Sequence, residues 1–173
     1  LIDYNFCELE PSSVSGVVYG DSDGDCFRDH DEPPLGGVVV QLRDSDSKVI
    51  AETTTDTQGR YQFRHLPPGQ YQIFEQQPDG LFQGGQTVGT GDGTILGDDL
   101  MGARLGSGQH LVDYNFCELL PASISGHVWQ ERLPDGVFDH DDVPVPGVLI
   151  ELVDQRGDVV ARDRTDSEGQ YEF

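Results

Sequence analysis

The stretch Leu1 to Gly16, LIDYNFCELEPSSVSG, returns at Leu111 to Gly126 as LVDYNFCELLPASISG, and that duplication constrains the fold more than any other feature of the chain. The same offset carries Asp56, Gly59, Tyr61 and Phe63 onto Asp166, Gly169, Tyr171 and Phe173 without a gap. A period of about 110 residues is several times a solenoid unit and matches one self-contained domain. The sequence therefore divides into residues 1–10, the closing strand of a preceding repeat; residues 11–120, a complete repeat; and residues 121–173, the N-terminal part of the next, truncated. Leu1 opens in the middle of a strand pattern with no initiator Met, which implies a longer parent polypeptide.

Hydrophobic residues alternate with period two, and helical spacing is nearly absent. Val14, Val18 and Tyr19 mark a first strand; Val38, Val40 and Leu42 give a second with one buried face. Val49 to Thr55 reads as a third strand, Tyr61 and Phe63 mark a fourth, and Tyr71 and Ile73 a fifth. Asp56 to Gly59 and Leu66-Pro67-Pro68-Gly69 are turn signals. The glycine-rich, polar stretch from Pro78 to Gly97 reads as a long loop with little structure, and Leu100 to Leu105 and Leu111 to Leu119 supply the last two strands, with Tyr114 and Phe116 inward. Seven short strands predict an all-β, immunoglobulin-like antiparallel sandwich, repeated in tandem. Only Pro121 and Ala122 separate one repeat from the next, which favours a stiff rod.

The formal charge is −22, with 32 acidic residues against 10 Lys plus Arg. Such a surface excludes nucleic acid, whose binding needs clustered cations, and disfavours anionic membranes. With no run of about 18 apolar residues, nothing here inserts into a bilayer. Disorder is opposed by the regular placement of apolar residues, leaving solubility, a high-salt habitat or divalent cations as uses for the acid.

The chemistry lies in Asp21-Ser22-Asp23-Gly24-Asp25-Cys26-Phe27-Arg28-Asp29-His30-Asp31-Glu32. Its acids occupy positions 1, 3, 5, 9 and 12 of a twelve-residue loop, the spacing of an EF-hand calcium loop. Calcium takes six to eight oxygens in a flexible sphere, so a loop offering an oxygen at alternate residues can wrap it. Asp21, Asp23 and Asp25 would give carboxylate oxygens, Phe27 its carbonyl, Asp29 an oxygen directly or through water, and Glu32 both oxygens. Position 6, normally glycine, is Cys26, and strand and Pro33-Pro34 flank the loop where an EF-hand has helices. An acidic turn alone is ordinary solvated surface; five acids in phase with one ligand pattern favour Ca2+. The corresponding loop of the second repeat offers Glu131, Asp135, Val137, Asp139 and Asp142, with Leu133 at position 3, and is the weaker site. His30 and His140 hold one phase in both loops, but imidazole suits a hard cation poorly and a surface role fits better.

The segments SVSGVVYGDSDGDCFRDHDEPPLGGVVVQL and TDTQGRYQFRHLPPGQYQIFEQQPDG resemble the B-type domains of serine-aspartate-repeat surface proteins, relatives of the B repeats of collagen-binding adhesins. YNFCEL resembles the YNFGEL that joins successive modules in large tandem members. The resemblance implies calcium-stabilised immunoglobulin-like modules strung as stalks on secreted, extracellular cell-surface proteins, with Asp21, Asp23, Asp25, Asp29 and Glu32 at the family's ligand positions. Cys26, Cys7 and Cys117 replace glycines of that pattern. Since both lie within one repeat, Cys26 and Cys117 can form a disulfide if their loop and strand end share a pole; three free cysteines is the alternative. Some adhesin relatives carry a Lys to Asn isopeptide bond, but the lone Lys48 starts an edge-like hairpin, so no such cross-link is expected.

No catalytic constellation is present: Ser12, Ser13 and Ser15 have no nearby histidine or nucleophile elbow, and GTGDG at Gly89 to Gly93 neither follows a strand nor opens a helix. The leading expectation is a non-enzymatic, calcium-stabilised spacer of a bacterial surface filament, stalk or adhesin. Its partners are neighbouring repeats of the chain and other copies in a filament. The alternatives are a module recognising a host or matrix protein or a carbohydrate, carried by the Pro78 to Gly97 loop, and an accessory domain of a secreted enzyme.

Overall fold

A computed structural model of the chain describes residues 5–132, 136–138 and 140–173. These residues divide into two compact units, Leu1–Pro121 and Ala122–Phe173. The first contains ten strands: β1 (Ser12–Asp21), β2 (Val39–Arg43), β3 (Val49–Thr54), β4 (Arg60–Leu66), β5 (Gly69–Glu75), β6 (Phe82–Thr87), β7 (Thr94–Gly97), β8 (Leu100–Leu105), β9 (His110–Leu111) and β10 (Asn115–Leu119).

Two five-stranded sheets result, one ordered β4-β1-β10-β6 with β9 beside β1, the other β3-β2-β5-β8-β7. Because side chains alternate across a strand, each sheet contributes one apolar face. Val14, Val18, Tyr61, Phe63 and Phe116 of the first meet Val40, Leu42, Ile73, Met101, Ala103 and Leu105 of the second in a single buried cluster. Burying each aliphatic side chain of this kind stabilises by about 1.5–3 kcal/mol. The inward alternation expected of Val38, Val40 and Leu42 and of Tyr114 and Phe116 holds, all five being buried.

Three details differ from the sequence reading. Residues 78–97 are not an unstructured loop: β6 pairs antiparallel with β10, and β7 pairs antiparallel with β8. Both are edge strands with little buried surface, so their hydrophobic signal is weak. The stretch Leu111 to Leu119 is broken into β9 and β10, with Asp113 between them in the left-handed region at φ 64°. Finally, β1 runs parallel to β10 and to β9 within otherwise antiparallel sheets. This return of the closing strand alongside the opening strand brings Leu119 level with Asp21.

Close approach of those two strands depends on Gly16. A Cβ there would lie 1.6 Å from the carbonyl oxygen of Tyr114, which accepts the buried hydroxyl of Tyr61 at 2.6 Å.

The second unit contains β11 (Ser125–His127), β12 (Trp129–Gln130), β13 (Val143–Pro144), β14 (Leu149–Val153), β15 (Val159–Arg164) and β16 (Gln170–Glu172). They pair as β11–β16, β12–β13 and β14–β15, all antiparallel. Local chemistry repeats faithfully. Thr55 donates to the Leu35 carbonyl and accepts from Val38 N–H, as Thr165 does with Val145 and Val148. Its strands leave Leu149, Val153 and Val160 exposed. Residues 5–11, the counterpart of β10 and its exit, form no strand.

Candidate metal centre

The acidic loop begins where β1 ends. Asp21, its first residue, is buried and collects main-chain donors: its Oδ1 accepts Gly24 N–H at 2.7 Å and Asp23 N–H at 3.3 Å, and its Oδ2 accepts Cys26 N–H at 2.8 Å. Burial alone would raise its pKa, but these donors and the neighbouring Glu32 side chain hold it below the usual carboxylate value. Asp23 and Asp25 repeat the motif on a smaller scale, each accepting the N–H two residues on, at 3.2 and 2.7 Å. Glu32, also buried, closes the loop by accepting Ser22 N–H at 3.1 Å and Asp29 N–H at 2.9 Å.

Of the six ligands read from sequence, the structure brings three to a common point: one carboxylate oxygen from each of Asp21, Asp23 and Asp25, all within 4.8 Å of one another. Glu32 braces the loop by the hydrogen bonds above, while Phe27 and Asp29 are exposed. The trio fits calcium: all donors are hard oxygens, and Ca–O distances of about 2.3–2.6 Å span such a separation. Bound there, a cation would neutralise the crowded acids, and Asp21, Asp23 and Asp25 would hold it. The negative field at this end is felt by Tyr19, whose hydroxyl is pushed up to about 12 by burial and then by the charges of Glu32, Asp21 and Asp25.

Position 6 sits at φ 57° in Cys26, a conformation that favours glycine. The corresponding residue of the second repeat is Gly136, at φ 75°. Cys26 is joined to Cys117 of β10, with Cα atoms 5.6 Å apart, so the loop is stapled to the strand that closes the repeat. Cys7 is free and exposed.

In the second loop Glu131 accepts Gly136 N–H and Asp142 accepts Arg132 N–H, the latter at 3.0 Å, reproducing the roles of Asp21 and Glu32. Asp135 and Asp139 lie outside the described residues, and Val137 is exposed. Both histidines of the paired phase are exposed, and His140 stands 3.3 Å from Asp141. Trp129, at the place of Tyr19, packs on Phe138 with ring centroids 5.4 Å apart. Lys48 lies exposed in the β2–β3 turn, its N–H donated to Asp44.

Sequence reasoning missed a second acidic group, Glu75, Asp99 and Glu118, with one oxygen of each within 4.8 Å of the others. The signal was present, because the inward alternation Tyr71, Ile73 continues onto Glu75, and Phe116 onto Glu118.

The family model described as SdrD B-like domain matches residues 12–99 and 122–173. Serine-aspartate repeat-containing protein F of Staphylococcus epidermidis is 29% identical over 165 residues, covering 93% of this chain and 10% of that protein. Protein I of Staphylococcus saprophyticus is 32% identical over 179 residues, covering 93% and 9%, and protein E of Staphylococcus aureus is 28% identical over 172 residues, covering 99% and 15%. The chain thus spans only 9–15% of these relatives. Among solved structures, the Bacillus anthracis TIE protein matches with a TM-score of 0.48 at 13% identity, covering 95% of this chain and 26% of that one. The shaft pilin SpaA from Lactobacillus rhamnosus GG, as its E269A mutant, matches with a TM-score of 0.45 at 11% identity, covering 94% and 82%. With a family model spread over both the complete repeat and its successor, the chain belongs to the SdrD B-like domain family.

Proposed function

We propose that this chain is a calcium-stabilised structural repeat of a secreted or cell-surface bacterial protein, serving as a stiff spacer in a stalk, filament or adhesin. The observation that carries the reading is the convergence of Asp21, Asp23 and Asp25 at the end of β1, in a loop stapled to β10. An ion bound there only in the folded state would couple the first strand, the loop and the closing strand into one stability unit. Free calcium a hundredfold above its dissociation constant stabilises by about 2.7 kcal/mol. Extracellular calcium modules work at dissociation constants of about 0.1–1 mM, within reach of calcium outside cells. The disulfide supports export, since such bonds persist in oxidising compartments. The module is structural and not an enzyme, in keeping with its family and relatives. Stiffness is supported by the two-residue connection Pro121-Ala122.

The recognition reading placed its binding loop at residues 78–97, and that support is weakened because β6 and β7 occupy half of the segment. Thermal unfolding with calcium and with EDTA tests the stabilisation: the midpoint should rise in calcium, and an unchanged midpoint refutes it. Small-angle scattering of chains with two or more complete repeats tests the spacer role, with rod-like profiles in calcium as the expected result.

A further inference from the structure

Glu75 and Glu118 sit where apolar residues belong. Each continues the inward row of its strand, one in each sheet, and each is fully buried. Neither oxygen of Glu75 has a hydrogen-bond partner, nor does Oε1 of Glu118. Asp99 joins them from the β7–β8 turn, held in the left-handed region at φ 57°, with its main-chain carbonyl accepting Glu75 N–H at 3.0 Å and its buried Oδ1 also unpartnered. Gln77 donates to the other oxygen of Glu118. The Arg162–Glu151 ion pair lies elsewhere, in the second unit. The pairing of β10 with β6 shifts register between Cys117 and Glu118, a bulge that re-aims this part of the strand.

Leaving both oxygens of Glu75 and one oxygen each of Asp99 and Glu118 buried without a donor is costly, because a buried polar group without a partner forfeits its hydration and like charges repel. Burial, then the charges of Glu118 and Asp99, pushes the Glu75 pKa far up; burial raises that of Glu118 as well. Natural folds retain buried acids when something neutralises them. We infer that Glu75, Asp99 and Glu118 form a second cation site, taking a hard divalent ion of the size of calcium and clamping the two sheets together. The donor set is all oxygen, which selects Ca2+ over softer metals, and the 4.8 Å spread suits Ca–O distances of about 2.3–2.6 Å. Glu118 pairs in register with Gly20, directly before Asp21, so this site adjoins the loop while drawing on none of its residues. The competing occupant is a proton shared between Glu75 and Glu118.

Calorimetric calcium titration of the intact chain decides between them. Glu75→Gln and Glu118→Gln, which keep side-chain shape, should each bind one calcium fewer than the wild type. Asp25→Asn in the loop should lose a different ion, so that Asp25→Asn/Glu118→Gln binds two fewer. In EDTA, Glu118→Gln should melt no earlier than the wild type, since it removes an acid buried against Glu75 and Asp99 and its amide oxygen can still accept from Gln77; in excess calcium it should melt earlier. Asp99→Asn, in the less buried turn, provides the same stoichiometric readout if a core variant does not fold. Undiminished stoichiometry in the folded Glu and Asp99 variants would assign the trio to protons and overturn the site. Loss of an ion in Glu118→Gln but not in Asp25→Asn would instead sink the loop reading and leave this one standing.

Discussion

Cys26 and Cys117, 91 residues apart in sequence, stand 5.6 Å apart at their Cα atoms and are bonded. A crosslink spanning a loop of that length restricts the unfolded chain strongly, by up to about 4–5 kcal/mol in the chain-entropy account. Cys26→Ser/Cys117→Ser is therefore expected to unfold at markedly lower urea than the wild type. Cys26→Gly/Cys117→Ser should recover about 1 kcal/mol of that loss, because glycine accepts the φ of 57° that serine resists. Equilibrium urea unfolding of the two variants checks both statements, and equal midpoints would argue against strain at position 26.

Asp21 and Asp25 should separate structural from ionic roles. Asp21 is buried and accepts three N–H groups, so Asp21→Ala is expected to cost about 1–3 kcal/mol even in EDTA. Asp25 is exposed and accepts one N–H, an interaction that asparagine can retain. Asp25→Asn should thus match the wild type in EDTA and fall below it only in calcium, as thermal melts in the two buffers will show.

The contact of Gly16 with the Tyr114 carbonyl leaves no room for a methyl group. Gly16→Ala must push β1 away from the closing segment and should destabilise by about 3 kcal/mol or more. Tyr61→Phe removes only the donor to that carbonyl and should cost about 1–3 kcal/mol. Both are measured by chemical denaturation, with the order of the two as the sharper criterion.

Acid should weaken the β3–β4 turn. The Asp56 carboxylate accepts N–H from Arg60 and Gln58, at 2.9 and 2.8 Å, and these bonds lower its pKa from 3.8. A carboxylate with a depressed folded-state pKa contributes stability above its unfolded value, and the contribution is lost as pH falls through the folded one. Asp56→Asn cannot titrate. Its deficit relative to the wild type should shrink as pH drops below about 4, as melting temperatures across the acid range will test.

The sequence by itself determined the repeat, the all-β class, most strands and the loop at Asp21, because duplication, period-two alternation and ligand spacing are all properties of residues near one another in the chain. Edge strands β6 and β7 escaped that reading: FQGGQT and TILG bury too little surface to impose alternation, and only their partners β10 and β8 define them. Likewise, the tertiary fold alone decided that Asp21, Asp23 and Asp25 converge while Asp29 faces solvent. It also decided that Cys26 meets Cys117 and that Glu75, Asp99 and Glu118 share one buried point. Those juxtapositions arise when two sheets close over a common core: the glycine-replacing cysteines and the acids on inward rows are visible in the sequence, but which of them meet is set by how the sheets pack.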